Sequence, residues 1–147
     1  MTFEVRHVNS HHPDFKCLID SKRIDSKSYS AMGKLYYGQY LENVVVGYVF
    51  NVPISFGALI PVDDSTVRVI FITTAVTLFD QDLFNATLQI LEDNARSLDY
   101  SIIIAEYKSE GSECFKMHTS LGFSKMPFQK NCNDNISEKR LFKLLID

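Results

Sequence analysis

From Val67 to Tyr100 the chain reads VRVIFITTAVTLFDQDLFNATLQILEDNARSLDY, and no other stretch restricts its fold as much. Val67 to Val76 is apolar at most positions, as expected of a central strand covered on both faces. Leu83, Phe84, Leu88, Leu91, Ala95 and Leu98 then recur at helical spacing, which predicts an amphipathic helix from Asp82 to Leu98. A strand, a turn and a helix in this order can present a helix N-terminus to an anion. The turn argues the other way. It holds Asp80 and Asp82, contains no glycine, and no Lys or Arg occurs between Arg68 and Arg96.

The flanking segments read as strands and short helices. Phe3 to Val8 alternates apolar and polar residues and predicts a first strand. After His11-His12-Pro13 breaks that pattern, Asp14 to about Asp25 fits a helix that buries Phe15, Leu18, Ile19 and Ile24. Ser26 to Gly38 is weakly patterned, a loop or short helix. Tyr40 to Val52 and Ile54 to Val62 read as strands around a turn at Asn51-Val52-Pro53, and Asp63-Asp64-Ser65 makes a second turn before Val67. Three antiparallel strands are expected from Tyr40 to Val76. Ser101 to Tyr107 is a further strand, and Glu113 to Leu121 a short helix closed by Gly122. Ser137 to Ile146 is a final strand. At 147 residues, with no internal repeat or linker, the chain is expected to form one α+β domain over residues 1–147.

A net charge of −3 without a basic stripe gives no support to nucleic-acid binding. The apolar runs fall well short of the roughly 20 residues of a membrane span. The polar N-terminus, MTFEVRHVNSHH, lacks the apolar core of a signal peptide. Cys17, Cys114 and Cys132 are three widely spaced thiols with no metal-ligand spacing, which suits structural thiols in a reducing cytoplasm. His7, His11 and His12 have no carboxylate partner at useful spacing, so no metal site is expected. Tyr36, Tyr37, Tyr40 and Tyr48 cluster near the first hairpin, either as packing or as a partner-binding surface.

Several local strings, in this order, resemble the GNAT superfamily of N-acetyltransferases over about Val44 to Leu145. Gly57-Ala58-Leu59-Ile60-Pro61-Val62-Asp63-Asp64 resembles the family's GALxPLDD strand and turn. Leu91 to Tyr100, LEDNARSLDY, is similar to the LExxAxxxGY end of its long helix. Leu121-Gly122-Phe123 matches its LGF. The resemblance implies a twisted mixed sheet with helices on both faces. It also implies an acetyl-CoA site in which a glycine-rich R/QxxGxG/A turn cradles the pyrophosphate through backbone N–H groups. The family's splayed fourth and fifth strands hold the pantetheine.

Counting back from Leu91-Glu92 places RGxGxG on Phe79-Asp80-Gln81-Asp82-Leu83-Phe84. Phe79 stands at the arginine, and Asp80, Asp82 and Phe84 stand at the glycines. Side chains there obstruct the backbone approach that glycine permits. Asp80 or Asp82 can instead cap the helix and supply the anion from within the chain, stabilising it by about 1 kcal/mol. If acetyl-CoA is bound nonetheless, the resemblance implies contacts from this turn and from the backbone of Ile72, Thr73 and Thr74. His118 falls at the family's thiolate-protonating tyrosine, and Glu106 matches a glutamate of the fifth strand. Without a catalytic role, His118 on a short helix is expected at the surface and Glu106 as a paired structural carboxylate. Arg68 stands where the fourth strand commonly carries the base.

Two functions compete. In the first, the chain is a degenerate GNAT-fold protein that takes no acetyl-CoA and acts as a protein-binding or inhibitory module, of immunity or antitoxin type, or senses a ligand. In the second, it is an acyl-CoA-dependent N-acetyltransferase with an unusual cofactor site, with Glu106 and His118 as its catalytic groups. Whether it is an enzyme stays open at this point, as do the protein partner and a homodimer.

Overall fold

A computed structural model describes residues 3–19, 41–73, 80–107, 110–111, 113–125 and 139–145. Their elements run β1 (Phe3–Val8), α1 (Pro13–Ile19), β2 (Glu42–Val49), β3 (Val52–Pro61), β4 (Thr66–Thr73), α2 (Asp80–Ser97), β5 (Ile102–Tyr107), α3 (Glu113–Thr119), β6 (Ser124–Lys125) and β7 (Lys139–Leu144). The strands form one mixed sheet in the order β1-β2-β3-β4-β5-β7-β6. β1 to β4 are antiparallel neighbours, as expected from Tyr40 to Val76, and β4 pairs parallel with β5 across the α2 crossover. The class is α+β, with helices on both faces.

Strand alternation sorts the core into two layers. Val45, Leu59, Val67, Val69, Ile103, Ala105 and Leu141 face α2, which buries Phe84, Leu88, Leu91 and Ala95 against them. On the opposite face, Val44, Val46, Phe56 and Ala58 meet Phe15, Leu18 and Ile19 of α1. Phe15 stands edge-on to Phe56 at 5.0 Å. The expected partner Ile24, the Ser26 to Gly38 segment, Tyr36, Tyr37, Tyr40 and Cys132 lie outside the described residues. Cys17 is a free, exposed thiol, so it is no core thiol.

The long helix sits close to the sheet because the residues beneath it are small. Val45 pairs with Gly57 and Gly47 with Ser55 across β2 and β3. A Cβ on Gly57 would stand 2.6 Å from Thr87 Cγ2 and 3.2 Å from the Ile70 carbonyl oxygen. Beside this contact, Glu92 of α2 is 5% exposed, and Lys143 Nζ of β7 donates to its carboxylate at 3.0 and 3.1 Å. Arg96 lies 3.8 Å from the same carboxylate.

Several expected boundaries are corrected. The first hairpin turns at Phe50-Asn51, with φ of 52° and 66°, and Val49 faces Val52 across it. Asn accepts the left-handed region and sets a two-residue turn. Pro53 therefore lies within β3, opposite Tyr48, next to a register shift where a missing N–H is tolerated. The long helix starts at Asp80 and ends at Ser97. Leu98 consequently falls in the closing turn and is 48% exposed, not part of the apolar face. Asp99 takes φ 70° where the family string has glycine, and Tyr100 N–H donates to the Ala95 carbonyl at 3.0 Å. Gly122, at φ 98°, closes α3 as its position suggested.

Candidate functional site

The parallel ladder between β4 and β5 is short. It pairs Thr66 with Ile102, Val67 with Ile103 and Arg68 with Ile104, and there it stops. Beyond that point β4 runs on to Thr73 along β3, while β5 runs on to Tyr107 along β7. The two strands part over their second halves, and the backbone of Val69 to Thr73 has no β5 partner on that side among the described residues. Ile72 and Thr73 thus line the divergence, paired to Phe56 and Ser55 of β3. Thr74 and Phe79 lie outside the described residues.

On the α2 side an aromatic cluster stands beside the divergence. Phe84, 1% exposed, packs edge-on against Phe71 of β4 at 5.2 Å and against His118 of α3 at 4.8 Å. His118 meets Phe123 at 5.1 Å, and Phe115 meets Tyr107 at 4.9 Å. The ring of Phe84 therefore bridges the unpaired half of β4 and the helix that follows β5. His118 is 4% exposed, which corrects the expectation of a surface histidine: α3 is amphipathic and turns this residue onto the Phe84 and Phe123 rings. Such edge contacts each contribute about 0.5–1.5 kcal/mol beyond area burial when both partners are aromatic.

The opposite face of the divergence is polar. Arg68 and Glu106 alternate with residues that face α2, so both point away from it. Arg68 Nη2 lies 3.1 Å from Glu106 Oε1, and Arg140 Nε lies 3.4 Å from Glu106 Oε2. The first ion pair spans β4 and β5 two residues beyond the last paired position of β5, as a clasp across the opening. Glu106 and His118, the two candidate catalytic residues, consequently lie on opposite faces of the sheet. The structure does not bring them together. Arg140, the second partner of Glu106, was not singled out from the sequence, and its only signal is an arginine in the loosely alternating last strand.

The start of α2 departs from the expected cap. Asp82 is the third helical residue, exposed, with no hydrogen bond among the described residues, and not the residue that opens the helix. Its charge still suits the positive end of the helix dipole. Gln81 Nε2 donates to Asn85 Oδ1 at 2.8 Å, so it is turned along the helix surface. Leu83 is fully buried and, with Phe84, anchors the first turn to the core. The first helical turn is therefore an apolar anchor, with Leu83 and Phe84 buried and Asp82 exposed.

The fold is shared with many solved acetyltransferases. An aminoglycoside 6'-acetyltransferase type Ii superposes with a TM-score of 0.73 at 11% identity, covering 98% of both chains. A GNAT family acetyltransferase from Elizabethkingia anophelis, solved with acetyl-CoA bound, gives 0.68 at 13% identity over 97% of each chain. An N-acetyltransferase from Staphylococcus aureus Mu50 gives 0.66 at 10% identity, covering 99% of this chain and all of the other. No protein-family model matches the sequence, and no curated protein matches it. The likeness is one of fold: this chain has the GNAT acyl-CoA N-acyltransferase fold. No helix among the described residues is long and apolar enough to cross a membrane.

Proposed function

We propose that this protein is a non-catalytic binding module on the GNAT fold, one that does not take acetyl-CoA in the family's manner and acts on a protein partner or a small ligand. The observation that carries the reading is Phe84. At a position where the family pattern has glycine, its ring is buried between Phe71 and His118, beside the parted strands that would receive pantetheine. The residues of the turn do not fit a pyrophosphate. Asp82 is an exposed acidic side chain in the first helical turn, and no glycine lets the backbone approach a phosphate. Each carboxylate within about 4 Å of a pyrophosphate would repel it by roughly 1 to 4 kcal/mol.

One observation favours the alternative, an active N-acetyltransferase. The divergence of β4 and β5 is retained, with Ile72 and Thr73 along it. In that reading Glu106 would accept the amine proton and His118 protonate the leaving thiolate. Their placement on opposite faces of the sheet makes a shared reaction centre harder to build, and Glu106 is already engaged by two guanidinium groups.

Thermal unfolding with acetyl-CoA or CoA separates the two. A ligand at 100 times its dissociation constant stabilises the folded state by about 2.7 kcal/mol, which raises the midpoint by several degrees. The non-catalytic reading expects no shift with millimolar ligand. A saturable shift reached at micromolar ligand would establish the alternative.

A further inference from the structure

We draw no further inference here: the strongest candidate, the part of β4 beyond Arg68 where it has left β5, belongs to the site already described, and nothing in the structure shows what covers it.

Discussion

Replacing Phe84 by alanine removes a ring that is 1% exposed and held by two edge contacts, to Phe71 at 5.2 Å and to His118 at 4.8 Å. A buried Phe→Ala change costs about 3–5 kcal/mol, from lost transfer free energy and from the cavity left behind. Alanine is the better probe than glycine here, because glycine in a helix adds roughly 1 kcal/mol of its own. Phe84→Leu keeps most of the volume and loses the two edge contacts, so about 1–2 kcal/mol is expected. Typical domains have about 5–15 kcal/mol in total, so the alanine variant forfeits a large share of the stability. Equilibrium urea unfolding measures both variants. With a slope of about 1.5 kcal/mol/M, the alanine variant should move the midpoint down by about 2–3 M, and the leucine variant by about 1 M. A cost below about 1 kcal/mol for Phe84→Ala would mean that the ring is not packed between β4 and α3, and the account of the filled site would fail.

Lys143→Met leaves the Glu92 carboxylate with Arg96 at 3.8 Å as its remaining cation among the described residues, so a loss of about 2 kcal/mol is expected by urea unfolding. Adding Glu92→Leu should recover part of it; a double variant worse than the single would contradict the buried-pair argument. Gly57→Ala brings a methyl to 2.6 Å from Thr87 Cγ2 and 3.2 Å from the Ile70 carbonyl, and should cost about 1–3 kcal/mol. An unchanged stability would show that α2 does not rest on that glycine. Burial, followed by the hydrogen bond that Tyr48 donates to Asp14 at 2.6 Å, pushes the Tyr48 phenol up to about 12. Because the folded value is raised, the stabilisation is whole below the ordinary tyrosine value of about 10 and is lost as pH climbs towards 12. Alkaline unfolding of Tyr48→Phe should lack that decline, and identical alkaline limbs would rule it out.

The long helix and its two flanking strands were legible because an apolar strand next to a 3.6-residue period leaves few alternatives. Leu83, Phe84, Leu88, Leu91 and Ala95 are all buried as that period requires. Its ends were less legible. Asp82 looked like a cap from its residue type, yet Leu83 and Phe84 pull the first turn onto the sheet and the helix begins two residues earlier. Pro53 looked like a turn, but the positive φ of Phe50 and Asn51 places the reversal before it. In the site, the sequence itself shows that Phe79 to Phe84 carry neither the glycines nor the arginine of the pattern they resemble. What Phe84 does instead was not legible, since its partners Phe71 and His118 are 13 and 34 positions away. The same holds for Arg68, Glu106 and Arg140, which meet only because β5 lies between β4 and β7 in the sheet.

We propose that a helix N-terminus of the acetyltransferase fold here anchors to the core through Leu83 and Phe84 instead of holding a cofactor. Isothermal titration of the wild-type protein with acetyl-CoA, and separately with CoA, tests it most directly. No saturable heat is expected with ligand up to about 1 mM, a limit that corresponds to less than about 4 kcal/mol of binding free energy. A 1:1 isotherm with a micromolar dissociation constant would contradict the account.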